Sequence, residues 1–440
     1  MESASRRAST VRVLAFVGMA LPLSVQAGLS LDEALARHRA LFDGPAALTS
    51  STPGDDLPDG IIVTVGNHEL ATPALLGQAI GGGGIQWRGR MGSDDGVQAR
   101  LGIAWHDTDD PQFSLDGTEL SVPLAAGRAY VSVMRRHWGP HWSSSLIYDA
   151  AAPALPAFGW RKTDATAFEN PWLSWLGPWT ADFFAGRMSG HIEPRHPWLL
   201  GARVQIAPLP GLELGASRTI QWGGKGRPQT ARLLWHALLG MDNGEHGQRP
   251  EDEPGNQLAG FDARFTVRGS DTQTLSVFGQ AIGEDEAGGM PSRYIGSAGA
   301  DAAFKLGDAT LRVFAERANT VMGGFIGTSR PGSTYRHHLY RQGYTQQGRP
   351  LGHPAGGDVR LATVGVLADH GAVAAMLMVH GGKAYDRALL FPTPGALRGG
   401  DAALSWRVDE NVRIGASITH WRDPLARQTR AQLWWQQALP

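Results

Sequence analysis

The sequence predicts an all-β fold: a transmembrane antiparallel β-barrel of about 18 strands, with a short N-terminal helical segment at the periplasmic side. Three observations support this prediction. Segments of roughly ten residues alternate apolar and polar side chains, short turns alternate with long connections, and the chain opens with an export signal.

The N-terminal segment has the organisation of a secretory signal peptide. Three arginines precede the apolar run 13–23, and the small-x-small sequence Val25-Gln26-Ala27 follows it. The run is shorter than the roughly 18 residues that a membrane-spanning helix needs. We therefore expect cleavage after Ala27 and export of the mature chain to the cell outer membrane.

Composition narrows the function classes. The formal net charge is −1, which gives no electrostatic basis for binding nucleic acid. The 440 residues include no cysteine, so disulfides, thiolate catalysis and thiolate metal sites are excluded. No sequence feature calls for a cofactor.

The mature chain begins with a helical signal. Ser30 and Glu33 have the spacing of a capping box, and Gly44-Pro45 would end the helix. A second short helical piece is predicted over 73–80. The predicted organisation is a signal peptide at 1–27, a periplasmic helical region at 28–84 and an outer-membrane barrel at 85–440.

Strands with period-2 patterning follow. In Leu200–Ile206 the even positions are apolar, while Arg203 and Gln205 take the other face. The segments 257–268 and 412–420 repeat this pattern. A soluble β-sandwich or propeller also shows such alternation.

The connection lengths favour the barrel. Short turns at 208–213, 269–272, 306–309, 368–371 and 409–411 alternate with long, glycine-rich connections at 223–254, 284–292, 321–357 and 383–399. This parity gives about a dozen strands from residue 180 onward, with the short turns periplasmic and the long loops outside. The segments IQWRGRMG, VQARLGIAWHD, TELSVPL, GRAYVSVMRRHW, SLIYDA and FGWRKTD could supply about six more.

Charged residues recur on the polar face of these strands. A lumen so lined is either filled by ion pairs and loops or is a pore with charged walls. The residues expected to face it are Arg203, Asp262, Arg264, Arg268, Arg312, Glu316 and Arg407.

The stretch RTIQWGGKGRPQT, residues 218–230, has the composition of a phosphate-binding loop but not its spacing. Thr219 stands where a Walker loop has its first glycine, and Gly226 stands where it has Ser or Thr. We interpret it as a strand end entering a long outer loop.

Enzyme and metal motifs fail on spacing as well. The sequence has no G-x-S-x-G elbow, and HIEPRH lacks the H-E-x-x-H spacing. The adjacent His337 and His338 could bind a metal, but neighbouring side chains in a strand point to opposite faces. No metal site is predicted.

Carbohydrate recognition fits the outer loops better. Aromatic faces stack on sugar rings, and Arg, Lys and Gln bind hydroxyl or carboxylate groups. RRHWGPHW (135–142) has this mixture, and the tryptophans of NPWLSWLGPW (170–179) could either stack on sugar or form an interfacial girdle. The candidate contacts are Arg218, Gln221, Trp222, Lys225, Arg227, His338, Arg341 and Tyr344.

An ordered series of segments resembles the capsule-assembly Wzi family. These are RRHWGPHWSSSLI, APALPAFGWRKTD, PWLSWLGPWTADFFAGRM, LELGASRTIQWGGKGRP, EPGNQLAGFDARF and HHLYRQGYTQQGRPLGH. The resemblance implies an outer-membrane barrel of 18 strands with helices at its periplasmic mouth. It also implies a lectin-like, non-enzymatic role in attaching capsular polysaccharide to the cell surface.

The expected function is therefore attachment of capsular polysaccharide or another exopolysaccharide. The expected partners are that polymer, outer-membrane lipid and other capsule-export components. Two alternatives stay open at the level of sequence: a porin or polysaccharide-export channel, and a barrel hydrolase.

Overall fold

A computed structural model describes most of the chain after residue 28. The described residues are 29–43, 59–66, 83–93, 95–107, 112–239, 255–284, 286–287, 290–291 and 293–439. The predicted signal peptide and the helical piece predicted at 73–80 lie outside these residues.

Eighteen antiparallel strands form one closed sheet. Each strand pairs with its neighbour in sequence, and the first pairs with the last, with Gly60 opposite Ala438. The fourth strand is divided by a bulge into two segments, both paired with the third. The strands are β1 Gly60–Gly66, β2 Gly83–Gly92, β3 Gln98–Asp107, β4 Gln112–Ser114 with Thr118–Leu124, β5 Gly127–Met134, β6 Leu155–Ala167, β7 Pro178–Arg187, β8 Trp198–Leu209, β9 Leu212–Trp222, β10 Gly255–Ser270, β11 Gln273–Glu284, β12 Tyr294–Leu306, β13 Ala309–Asn319, β14 Val359–His370, β15 Val373–Ala384, β16 Gly395–Arg407, β17 Val412–Arg422 and β18 Arg427–Ala438.

The predicted barrel is confirmed, with one exchange among the strands of the first third. The segment SLIYDA is not a strand, and β1, GIIVTVG, takes its place. The barrel therefore begins at Gly60, ahead of the boundary predicted at residue 84. The strand β1 is an apolar run with little alternation, so a search for period-2 patterning misses it. The segment SLIYDA is apolar because its side chains are buried in the interior of the barrel, and not because it is a strand of the wall.

Short turns and long loops divide between the two mouths of the barrel as predicted. Turns such as 210–211, 271–272 and 307–308 join strands at one mouth, which we call periplasmic. The connections 223–254 and 320–358 leave from the opposite, outer mouth. The tryptophan-rich segment lies in the periplasmic connection of β6 and β7, where Trp172 and Trp175 are exposed around the short helical turn Ser174–Leu176.

Alternation separates an apolar outside from a polar inside. Outward residues such as Phe261, Phe265 and Val277 are large, apolar and exposed, as on a lipid-facing wall. The alternating inward residues are polar and buried; Arg203, for example, forms a two-pronged ion pair with Asp262 at 2.7 and 3.0 Å. No helix among the described residues is long and apolar enough to cross a membrane.

The helix α1, Leu31–Asp43, closes the periplasmic mouth. Its capping box forms as predicted: Ser30 N–H donates to Glu33 Oε2 at 2.8 Å, and Glu33 N–H donates to Ser30 Oγ at 3.2 Å. Arg39 pairs with Asp369 and Asp32 with Arg413, each at 2.7 Å, at the periplasmic ends of β14 and β17. These contacts place the helix inside the rim of the barrel.

Residues 135–154, which join β5 to β6, fold into the lumen and are called the lumen plug here. Trp142 donates from Nε1 to Asp301 on β12 at 3.0 Å, and the backbone amides of Trp142 and Ser143 donate to Glu316 on β13. Gln280 of β11 accepts from Leu146 N–H and donates to the Trp138 carbonyl, each at 2.7 Å. Buried wall charges thus hold the plug.

Residues 320–358, called the outer cover here, close the lumen from above. Tyr335 Oη donates to the Leu146 carbonyl at 2.6 Å, and Tyr344 Oη donates to the Ile147 carbonyl at 2.8 Å. Asp149 N–H donates to the Leu351 carbonyl at 2.7 Å. Arg37 of α1 donates to the His141 carbonyl of the plug at 2.7 Å, so helix, plug and cover form a continuous series of contacts through the lumen.

Candidate functional site

The two outer connections that carry the predicted site residues meet at the outer mouth. Tyr340 Oη contacts the Gly223 carbonyl at 3.4 Å, and Gln221 Nε2 donates to the Gly343 carbonyl at 3.1 Å. The start of the β9–β10 connection therefore packs on the outer cover, and residues far apart in sequence share one surface.

A third loop, 188–197 between β7 and β8, completes this surface. Lys225 N–H donates to the Arg195 carbonyl at 2.8 Å, and Gln342 Oε1 accepts from the amides of Ile192 and Glu193 at 3.1 Å. A Cβ on Gly224 would lie 2.9 Å from Pro194 Cβ, so a glycine is needed for this close approach.

The shared surface presents cations and imidazoles to solvent. We call it the outer patch; its side chains are Glu193, Arg195, Lys225, Arg227, His338 and Arg341. All are exposed except Arg227, which is half-buried. The backbones of the three loops are packed together beneath these side chains and fix the spacing between them.

Two contacts organise the patch. The His338 ring stacks on His337 with centroids 4.7 Å apart, which offers a flat aromatic face. Arg341 Nε lies 3.4 Å from Glu193 Oε2, and both side chains are more than half exposed, at 69% and 62%. Such a surface can stack on a sugar ring and bind its hydroxyl or carboxylate groups.

The remaining predicted residues lie beneath or beside the patch. Gln221 and Tyr344 are buried; Gln221 Oε1 accepts from Asn256 Nδ2 at 2.7 Å, and Tyr344 Oη contacts Thr219 Oγ1 at 2.8 Å. Their hydrogen bonds join the loops to the barrel, which is a supporting role for the surface above.

Arg218 and Trp222 occupy the outer wall of β9. Arg218 lies opposite Ala202 on β8 and Ala259 on β10, whereas its neighbours Ser217 and Thr219 face the lumen. Its guanidinium donates to the carbonyls of Ala237 and Leu238 at 2.9 and 2.8 Å. The predicted loop contact is thus a residue of the wall.

The segment RRHWGPHW is part of the lumen plug and is buried throughout. Arg136 pairs with Asp182 at 3.0 Å and lies 4.0 Å from the Phe184 ring centroid. Its mixture of cations and aromatics, which suggested sugar contact, instead fills the interior.

The electrostatics of the outer cover reflect its burial. Burial lowers the pKa of the His353 imidazole to about 3. Burial also raises the pKa of Asp358 to about 6, although the Gly332 N–H donates to its carboxylate at 2.9 Å. The imidazole of His353 is therefore neutral at neutral pH.

Glu193 and Arg195 were not among the predicted contacts. They belong to HIEPRH, whose spacing does not fit a metal motif and which forms the loop between β7 and β8. Its alternating charges next to Pro194 were the available signal. No group of three metal-ligating side chains occurs among the described residues.

One hydroxyl–imidazole–carboxylate chain lies in the barrel wall. His380 Nδ1 lies 2.9 Å from Thr363 Oγ1, and His380 Nε2 lies 2.7 Å from Asp401 Oδ2. Thr419 Oγ1 donates to the other carboxylate oxygen at 2.7 Å. The four residues are buried on successive strands β14 to β17, so this chain is a cross-strand ladder away from the outer patch.

Comparison with known proteins agrees with this architecture. A structure of the Escherichia coli outer-membrane protein Wzi, a carbohydrate-binding β-barrel involved in group 1 capsule assembly, is similar with a TM-score of 0.73 and 24% identity, over 96% of this chain and 95% of that one. An uncharacterised 55.8 kDa Klebsiella pneumoniae protein from a cps region is 40% identical over 155 residues. That match covers 35% of this chain and 30% of the relative's length.

A family model gives the assignment. The model described as capsule assembly protein Wzi matches residues 81–426, which include β2 to β17 complete, the lumen plug and the outer cover. With its closed barrel of 18 strands and filled lumen, the chain belongs to the capsule assembly protein Wzi family.

Proposed function

We propose that this protein is an outer-membrane, lectin-like protein that attaches capsular polysaccharide or a related exopolysaccharide to the cell surface. The observation that carries the proposal is the outer patch, in which three loops bring cations and imidazoles together. The carbohydrate binding of the E. coli protein and the capsule-assembly family support the same ligand class.

The filled lumen favours surface attachment over transport. A polymer passing through the barrel would have to displace α1, the lumen plug and the outer cover in turn. Each is held by buried groups, among them Arg135 with Glu33 at 3.2 Å and Trp142 with Asp301 at 3.0 Å. Displacing such groups leaves buried charges unpaired, which is strongly unfavourable.

The patch suits recognition without catalysis. Arg341 and Lys225 can bind hydroxyl or carboxylate oxygens, and the stacked pair of His337 and His338 can cover one face of a sugar ring. Each contact is weak alone, but a repeating polymer presents the same groups many times, so the attachment gains from multivalency.

Retention of polysaccharide on cells tests the proposal. A strain lacking this protein is complemented with the parent chain or with K225A/R341A, and cell-bound and shed polysaccharide are measured. The matched control is R330A/R422A, which removes the same charge from exposed arginines outside the patch. We expect K225A/R341A to shed polymer and the control to retain it.

Equal retention by K225A/R341A and the parent, at equal amounts of folded barrel, would reject the patch as the attachment site. Planar-bilayer recording addresses the transport alternative. A steady open conductance of the parent protein would favour a porin or export channel, and a closed barrel would favour attachment.

A further inference from the structure

The helix α2, Ala231–Leu239, has a position that polysaccharide attachment does not explain. It follows the outer patch in the β9–β10 connection and contacts the strand β9. The contact is on the outside of the barrel, because Arg218, whose guanidinium binds the end of the helix, is an outward residue of β9.

Arg218 fixes how deep the helix lies. It is four residues before Trp222, the last residue of β9, which corresponds to about 13 Å along the strand. With strands tilted by about 40°, the C-terminus of α2 lies about 10 Å below the outer edge of the barrel wall. A guanidinium on a lipid-facing wall needs hydrogen-bond acceptors, and here Nε donates to Gln257 Oε1 of β10 at 3.0 Å while the two terminal nitrogens donate to the helix carbonyls of Ala237 and Leu238.

The helix is apolar on two opposite faces. Leu233 and Ala237, one turn apart, are buried, and the outward residue Ile220 of β9 is only 3% exposed. Trp235, Leu238 and Leu239, at i, i+3 and i+4, form the other face and are 60%, 44% and 52% exposed. The exposed face continues the apolar outside of the barrel, which includes Phe261 on β10.

We propose that α2 is a membrane-embedded helix: Leu233 and Ala237 face the barrel wall, and Trp235, Leu238 and Leu239 contact lipid acyl chains. Arg218 holds the helix against the wall. Thr230, whose Oγ1 accepts from Leu233 N–H at 3.3 Å, caps its N-terminus. Lys225 and Arg227 of the outer patch lie a few residues before the helix, so the patch is thereby tied to the membrane surface independently of any sugar.

Fluorescence quenching tests this placement, and the absence of native cysteine makes labelling specific. The variants L238C, F261C and S329C are each labelled with bimane and reconstituted in phosphatidylcholine vesicles, with or without acyl-chain-brominated phosphatidylcholine. Phe261 is the lipid-facing reference, and Ser329, an exposed residue of the outer cover, is the aqueous reference. Iodide serves as the water-soluble quencher, and retained heat-modifiable migration confirms folding.

We expect the label at position 238 to be quenched by brominated lipid as strongly as at 261, and by iodide several-fold less than at 329. Quenching by iodide alone would place the helix in water and overturn the proposal. Protection from both quenchers would also overturn it, because a protein, such as a second copy of this chain, would then cover the face.

The variant R218M tests the anchor. Methionine keeps an unbranched, flexible side chain that suits the lipid-facing wall, but it cannot donate hydrogen bonds to the helix carbonyls. In R218M/L238C we expect weaker quenching by brominated lipid and stronger quenching by iodide. Unchanged quenching by both would show that Arg218 does not hold the helix.

Discussion

Replacing Asp301 by asparagine should release the lumen plug from the barrel wall. The Asp301 carboxylate is buried and pairs with the guanidinium groups of Arg264 and Arg312 while accepting from Trp142 Nε1 at 3.0 Å. The Trp142 ring also lies 4.9 Å from the Arg312 guanidinium and stacks on Phe314 with centroids 5.9 Å apart. One carboxylate therefore joins two wall cations to the plug.

The size of the effect follows from the unpaired charge. Asparagine keeps one acceptor oxygen but turns an NH₂ donor toward the second guanidinium, so a buried cation loses its partner. Breaking a buried ion pair on one side costs about 3–5 kcal/mol. The strand ladders of the closed barrel do not depend on this pair, so we expect the cost to appear as local opening of the plug. The equilibrium constant for local opening of the plug should then rise roughly 10²–10³·⁵-fold.

Hydrogen exchange followed by mass spectrometry measures this opening. In D301N the amides of 135–154 should exchange faster by that factor, among them Trp142 and Ser143, whose N–H groups donate to Glu316. Brief conductance steps in planar bilayers should accompany it. The matched control is D401N, a carboxylate equally buried in the wall whose hydrogen bonds go to His380 and Thr419. Equal exchange of 135–154 in D301N and the parent would refute the reasoning.

Three further predictions concern the helix and the cover. S30A removes one side of the capping box with Glu33 and should destabilise α1 by about 1 kcal/mol, seen as faster exchange of its first turn. Y344F leaves the buried Ile147 carbonyl without its donor and should weaken docking of the outer cover by about 1–3 kcal/mol, measured by limited proteolysis of 320–358. Burial keeps His353 neutral: its pKa is near 3 in the folded protein, against about 6.5 in the unfolded chain. The stability that the neutral imidazole contributes to the outer cover is therefore intact above pH 6.5 and is lost as the pH falls toward 3. The free energy needed to open the outer cover should decline by up to about 1.4 kcal/mol per pH unit in that window, and less steeply in H353Q.

Each prediction has an outcome that contradicts it. Exchange of the first turn unchanged in S30A would remove the role assigned to the cap. Proteolysis of Y344F at the parent rate would show that the tyrosine hydroxyl does not secure the cover. A pH dependence identical in H353Q and the parent would assign the acid sensitivity to other groups.

The outside of the barrel could be predicted from sequence because its pattern is local. Along Leu200–Ile206 the even positions meet lipid and the odd positions meet the lumen, so two adjacent residues already distinguish the faces. The capping box of Ser30 and Glu33 is local in the same sense, as are the short turns. These features established the fold and the direction of each loop.

The inside could not be predicted, because a buried lumen and water select similar residue types. Arg136, Trp138 and His141 have the composition of a sugar-binding loop, yet they contact wall residues distant in sequence, namely Asp182, Phe184 and Phe278 respectively. The same holds for the candidate site. Lys225 and Arg341 were identified from composition, but their proximity to Glu193 depends on how three loops pack over the plug.

Pairing of β1 with β18 has a consequence for assembly. Because this seam joins Gly60 to Ala438, the cylinder stays open until nearly the whole chain is available. The helix α1 contacts β14 and β17, and the plug contacts β7 as well as β11 to β13, so part of the interior rests on strands from the later part of the chain. The pairing that closes the barrel therefore joins the two most distant strands in the sequence, and it can form only after the strands that hold the helix and the plug have been synthesised.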